Sequence, residues 1–305
     1  MEINEVARRY EKFQKEISKV IAGKEKEVEL VFIGLIANGH ILLEGMPGLA
    51  KTTMAKTIAQ LIDGTFGRIQ GTPDLQPRDI LGFEFYDQNG KLVLWKGPIF
   101  NNIVLIDELN RAPPRTQTSL LESMEEKQVT FSSGTLPLPK PFIVLATQNP
   151  IKIEGTNPIP LVQADRFLFK VSVNYPTQEE EVEMLKLKDK PQPKLEKVFE
   201  KEEILELSEL AKTIKIDEKI MRYIVEIVSK TREHQHLLMG ASPRASIAFM
   251  VGAKARALLK GRDRVEVEDV KFIAHAVLEH RVAIRSGAGI GASAIVDELL
   301  AQVKI

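Results

Sequence analysis

Lys51 and Thr52 stand together at the end of the run Ile41-Leu42-Leu43-Glu44-Gly45-Met46-Pro47-Gly48-Leu49-Ala50. The pattern is an apolar strand, a glycine-bearing turn and the opening of a helix. Backbone N–H groups in such a turn, together with the positive end of the helix, can surround phosphate oxygens. Gly45, Pro47, Gly48, Leu49 and Ala50 supply the turn, and Thr53 continues into the helix. Lys51 is placed to reach the outer phosphates, and the Thr52 hydroxyl to coordinate Mg²⁺. The general pattern has glycine directly before the lysine. Ala50 stands there instead and brings a methyl group, a small intrusion.

A second run, Ile103-Val104-Leu105-Ile106-Asp107-Glu108, is a buried strand that ends in two acids. Ligands of open α/β sheets bind at that carboxyl edge. Asp107 suits a Mg²⁺ ion held through water, and Glu108 suits the polarisation of an attacking water. Acids at a strand end are common, and the pair gains meaning only beside the glycine-bearing turn. The next apolar strand ends in Thr147-Gln148-Asn149-Pro150. There Asn149 could touch the terminal phosphate or position the same water, or simply cap a turn.

Positioning these groups requires a parallel sheet covered by helices. Short apolar runs at 40–43, 66–69, 103–106, 143–146 and 167–173 alternate with helical patterns at 52–62 and 114–126, which is the α/β rhythm. Pro113-Pro114 suits the first turn of the second helix, where a missing N–H costs nothing. Two stretches are too long for connectors. Residues 70–97 carry alternating apolar residues about Asn89-Gly90, a hairpin signal. Residues 127–141 read as a second hairpin, returning through Ser133-Gly134. From Pro176 the rhythm turns helical, with a capping box at Thr177 and Glu180 and apolar three-to-four spacing over 203–213, 217–236, 243–260 and 266–284. Lys188 to Lys194 is a polar, proline-bearing connector. The division into domains is expected near 174: a core over 1–174 and a helical domain over 175–305.

The chain has 305 residues, enough for about two domains, and is 44% hydrophobic and 28% charged. Such figures exclude collagen-like and disordered classes. Forty-two basic residues balance forty-two acidic ones, so no global field gathers nucleic acid or an anionic membrane. There is no cysteine, which removes disulfides, thiolate metal sites and thiol nucleophiles. No signal peptide or membrane-spanning run is evident, and a cytoplasmic protein is expected.

These elements resemble the AAA+ ATPases, and within them the MoxR family, over nearly the whole chain. The resemblance is carried by Gly71-Thr72-Pro73-Asp74-Leu75, Gly97-Pro98-Ile99-Phe100, Asp107-Glu108-Leu109-Asn110-Arg111-Ala112-Pro113-Pro114 and Leu120-Leu121-Glu122-Ser123-Met124-Glu125-Glu126. Ala146 to Pro150, Asp165-Arg166-Phe167 and Gly240-Ala241-Ser242-Pro243-Arg244-Ala245 complete the series. It implies a P-loop AAA+ α/β fold of three layers with a helix-2 insert (70–97) and a pre-sensor hairpin (127–141), followed by a small all-α lid. It also implies ATP and Mg²⁺ as ligands and a homo-oligomeric ring, a hexamer, with ATP between neighbours. Lys51 and Thr52 then match the Walker A pair, Asp107 and Glu108 the Walker B pair, and Asn149 sensor 1. Arg166 matches the arginine finger given to the neighbouring subunit, and Arg244 matches sensor 2, acting in cis or in trans. Ile21 and Gly23 fall where the family closes over adenine. The implied work is remodelling or activation of a client protein, with a von Willebrand A-type partner in some members. One departure is Leu161, where the family pattern has an acidic residue.

A nucleic-acid-dependent motor is the alternative from a different class. Few basic residues in the inserts (Arg68, Arg78, Lys91 and Lys127) and the neutral balance count against it. An ordinary salt bridge is the plain alternative for Arg166, which follows Asp165. His234 and His236 lie two apart on an expected helix and lack metal-ligand spacing. Gly287 to Gly291 reads as a turn, Lys24 to Glu29 as a solvated helix face, and Val198 to Leu210 as an amphipathic packing helix.

Overall fold

The computed structural model describes residues 1–149, 156–191 and 193–304. Pro150 of the run 147–150 and Gln192 of the polar connector lie outside them. Two helices come first, α1 (Ile3–Ser18) and α2 (Glu25–Ile36). The α/β unit follows as β1 (Ile41–Glu44), α3 (Lys51–Leu61), β2 (Phe66–Gln70), α4 (Pro77–Leu81), β3 (Gly82–Tyr86), β4 (Leu92–Lys96), β5 (Ile103–Asp107), α5 (Pro114–Glu126), β6 (Gln128–Phe131), β7 (Gly134–Pro137), β8 (Ile143–Gln148), α6 (Leu161–Ala164) and β9 (Phe169–Ser172). The remainder is α7 (Gln178–Asp189), α8 (Lys201–Thr213), α9 (Glu218–Glu233), β10 (Leu237–Met239), α10 (Pro243–Leu259), α11 (Val267–Leu278), β11 (Ala283–Ile284) and α12 (Ala292–Gln302).

The main sheet has five strands in the order β2-β5-β8-β1-β9, every pairing parallel. Its inner strands read as unbroken apolar runs because both faces are covered; all five residues of β5 are buried. One face belongs to a cluster that includes Ile41, Leu43, Ile103 and Leu145, and the other to a cluster with Leu42, Val104, Ile106 and Val144. The first cluster also takes in α1, α2 and the helices of the second half. Phe199 lies 5.6 Å from Phe32 and 6.5 Å from Phe13, ring centre to ring centre. The ring of Phe169 on β9 lies where a Cβ on Gly252 of α10 would clash with it at 2.7 Å. Sheet and lid helices therefore share one core.

Both long interruptions are hairpins. β3 and β4 pair antiparallel about the turn that holds Asn89 and Gly90, with Gly90 at φ +73°, and β6 pairs with β7. They touch. Glu84 on β3 accepts hydrogen bonds from the Ser132 N–H at 2.9 Å and the Ser133 N–H at 3.1 Å, and also from the Ser132 hydroxyl. Phe83, Phe85, Tyr86 and Trp95 stay exposed on the first hairpin.

Several boundaries differ from the sequence pattern. The helix expected over 266–284 ends at Leu278, and Ala283–Ile284 forms a short ladder with β10 inside the otherwise helical lid. The helix expected to reach 236 ends at Glu233, so His234 caps it and His236 lies in the turn beyond. Val198 and Phe199 are not helical; their N–H groups donate to the Leu61 carbonyl, and the helix starts at Lys201. The segment 24–29 is solvated only in part: Glu25 and Lys26 are exposed, whereas its ends are not. Lys24 is buried and donates to the Asn174 carbonyl at 2.9 Å, while buried Glu29 pairs with Arg256 at 3.2 Å and Lys260 at 3.0 Å. Among the described residues, no helix is long and apolar enough to cross a membrane.

Candidate functional site

The turn after β1 lies at the carboxyl edge of the sheet because β1 runs parallel to β8 on one side and β9 on the other. Glu44, its last strand residue, is fixed by the Gln148 amide at 2.7 Å and by Lys170 at 2.9 Å. Gly48 has φ +86°, with open space beyond it. Ala50 is left-handed at φ +58°, ψ 15°, and α3 begins at the next residue. The methyl group expected as an intrusion is thus a conformational cost, about 1–2 kcal/mol for a non-glycine residue in that region. Lys51 Nζ turns back to the carbonyls of Gly45 at 2.5 Å and Met46 at 3.0 Å. Burial pushes its pKa below the ordinary lysine range, against the opposing pull of the Asp107 and Glu108 carboxylates.

These residues line a cavity of about 370 Å³. Gly45, Pro47, Gly48, Leu49, Ala50, Lys51, Thr52 and Thr53 form one wall, and Asp107, Glu108 and Asn149 another. Arg68, Gln70, Thr147 and Gln148 complete the lining. The volume falls in the range of small-molecule sites. An ammonium, a hydroxyl, a helix N-terminus and two carboxylates facing one cavity form a donor set suited to a phosphate chain with a divalent cation.

Arg68 and Gln70 are not marked by any motif in the sequence, and Thr147 lies within a marked run that assigns it no role. Arg68 is on β2 rather than in an insert, and its Nε donates to Asp107 Oδ2 at 2.7 Å. Gln70 reaches Glu108 at 3.4 Å. Both face the cavity because β2 pairs with β5, Gln70 opposite Asp107; two polar residues at alternate positions near a strand's end were the available signal. Thr147 is 2% exposed, and its Oγ accepts the Glu108 N–H at 2.8 Å. Glu108 is itself left-handed, at φ 55°, ψ 50°, with its carboxylate 2.9 Å from Arg111.

Other sequence candidates lie elsewhere. Ile21 is buried in the core, and a Cβ on Gly23 would strike the Glu180 side chain; neither residue lines the cavity. Arg166 and Arg244 do not line it either. They close from two elements on Glu125, at 2.5 Å and 2.7 Å, an acid to which the sequence pattern assigns no role. Asp165 turns away from Arg166 to Arg281, at 2.8 Å. Leu161 opens α6, partly buried.

A parallel sheet in this order, a glycine-bearing loop beneath α3, and acids ending the neighbouring strand define a nucleotide-triphosphatase fold. The profile of the ATPase family associated with various cellular activities (AAA) matches residues 40–169, and that of the AAA lid domain matches 229–299. Chaperone MoxR1 of Mycobacterium tuberculosis is 40% identical over 95% of this chain and 78% of its own length. Protein YeaC of Bacillus subtilis is 45% identical over 95% of this chain and 92% of its own. A crystal structure of an ATPase candidate from Cytophaga hutchinsonii superposes with a TM-score of 0.92 at 39% identity, covering 99% of this chain and 96% of that one. The chain belongs to the MoxR family of AAA+ ATPases.

Proposed function

We propose that the protein hydrolyses ATP as a homo-oligomeric ring and uses the energy to remodel or activate a partner protein. The observation that carries this reading is the division of charge: Lys51, Asp107 and Glu108 share one cavity, whereas Arg166 and Arg244 are gathered on Glu125 away from it. Exposed ion pairs of that kind are worth about 0–1 kcal/mol and exchange readily for a phosphate. Both arginines then serve a neighbouring subunit, Arg244 acting in trans.

In this scheme residues 1–174 act as the ATP-binding core and 175–305 as the lid. The loop N–H groups and Lys51 hold the outer phosphates; Thr52 and Asp107 hold Mg²⁺, which when bound neutralises charge on the phosphate oxygens. Glu108 orients the attacking water and draws its proton, with Asn149 beside it. Arg166 from the neighbour meets the charge that develops on the transferring group, a contribution of roughly 10³–10⁵ in rate for a finger arginine. Ile21 and Gly23 would close over adenine only after a rearrangement around Glu180. The exposed aromatic face of the first hairpin is where a client, or a von Willebrand A-type partner, would be engaged. The mycobacterial relative is named as a chaperone, which accords with a protein cargo.

Glu108→Gln is expected to abolish phosphate release while ATP still drives assembly; sustained turnover would remove Glu108 from its role. Stimulation of hydrolysis several-fold by DNA or RNA at physiological salt would displace a protein cargo.

A further inference from the structure

Arg281 follows the end of α11, and its side chain is 2% exposed. Burial pulls its pKa down to about 10. Buried ion pairs give little net stability over apolar side chains of similar volume, so the reason for an arginine lies in what it touches. Nε donates to Asp165 Oδ1 at 2.8 Å. Nη2 donates to the carbonyls of Phe167 at 2.6 Å and Asp165 at 3.3 Å, and Nη1 to those of Leu168 at 3.1 Å and Val277 at 2.6 Å. All but the bond to Val277 end on residues 165–168, the segment that contains Arg166. His280 adds a bond from Nε2 to the Phe167 carbonyl at 3.0 Å.

The other Asp165 oxygen accepts from Ser242 Oγ at 2.8 Å, and that same Oγ caps α10 by accepting the Arg244 N–H at 3.1 Å. One carboxylate thus ties the backbone that carries Arg166 to the backbone that carries Arg244.

We propose that Arg281, acting through Asp165, is a positioning residue that holds Arg166 and Arg244 at the spacing needed to meet one phosphate group of an adjoining subunit. The inference rests on the proposed role of Arg166 as a finger in trans. A planar fork suits this role, since it grips a carboxylate and successive carbonyls from fixed directions, which a lysine cannot. The grip fixes the backbone and leaves the Arg166 side chain free to exchange Glu125 for phosphate.

The test uses co-assembled subunits. Arg166→Ala subunits keep an ATP cavity but give no finger; Lys51→Ala subunits give a finger but lack the lysine of the cavity. Mixing them is expected to restore hydrolysis. Adding Arg281→Met to the Lys51→Ala subunit is expected to cut the restored rate by roughly 10²-fold, the scale of a displacement of about 1 Å. Placed instead in the Arg166→Ala subunit, the same substitution is expected to leave the restored rate within about twofold, because that subunit's finger is unused. Equal loss on both sides would make Arg281 a general folding residue and overturn the proposal, as would no loss on either side. Failure of the parent mixture to recover would instead refute the finger reading, and the proposal with it. Should Arg281→Met not fold, Arg281→Lys and Asp165→Asn carry the same asymmetric comparison, with an intermediate loss expected for lysine on the finger-giving side only.

Discussion

Thr147→Val isolates what a single hydrogen bond does for Glu108. Valine keeps the branched shape at a site that is 2% exposed, so packing is held nearly constant while the acceptor of the 2.8 Å bond from the Glu108 N–H is lost. A fully buried donor left without a partner costs about 1–3 kcal/mol, an upper bound for the partly buried Glu108 N–H. Glu108 can escape that cost by leaving its left-handed conformation, itself unfavourable by about 1–2 kcal/mol, and its carboxylate then moves. If the whole of the roughly 1–3 kcal/mol falls on the chemical barrier, the turnover number drops about 5- to 150-fold. The ground-state contacts of Lys51 and Thr52 are untouched, so nucleotide affinity is expected to hold within about twofold. Steady-state phosphate release and an equilibrium titration with a fluorescent nucleotide separate the two quantities, and Thr147→Ser is expected to restore most of the rate. Turnover of Thr147→Val within twofold of the parent, or an equal loss in rate and affinity, would refute the argument.

Ala50→Gly removes the left-handed strain but loosens the unfolded chain, and a net gain of about 0.5–1 kcal/mol is expected, measurable as a higher midpoint in a denaturant titration. His40 is fully buried: its Nε2 donates to the Met124 carbonyl at 3.1 Å and its Nδ1 accepts from the Val144 N–H at 3.0 Å. Burial lowers its pKa from 6.5 to about 4. The unfolded chain therefore binds the proton first. Stability is full above about pH 6.5 and is expected to fall by roughly 3 kcal/mol as pH drops towards 4. His280, also lowered by burial, adds with the same sign, so His40→Leu should flatten only part of that slope in acid titrations of the unfolding midpoint.

Local chemistry is legible in the chain alone. The apolar runs of β5 and β8 declare strands buried on both faces, Asn89-Gly90 announces the turn between β3 and β4, and Pro113-Pro114 marks the start of α5. What escapes a reading of the chain depends on partners far away in sequence. Glu29 looks like one more charge in a solvated run until Lys260, 231 residues on, is brought to it. Thr147 and Gln70 acquire their roles from strand register, which no local pattern encodes. Val282 and Ile284 keep helical spacing after the helix has ended, because a short strand and a turn bury apolar residues as well as a helix does. Glu125 is invisible because an acid at the end of an amphipathic helix resembles any solvated charge until Arg166 and Arg244 converge on it.

The shared core has a mechanical consequence. Phe169 and Phe199 are each fully buried where the sheet, the first helices and the later helices meet. At roughly 150–250 Å² per aromatic ring and about 25 cal/mol/Å², prising these two apart from their neighbours alone would cost on the order of 10 kcal/mol. Opening the molecule through these two rings is therefore disfavoured. Displacement then falls more readily to the perimeter, where the two hairpins are pinned to each other through Glu84 and move as a pair.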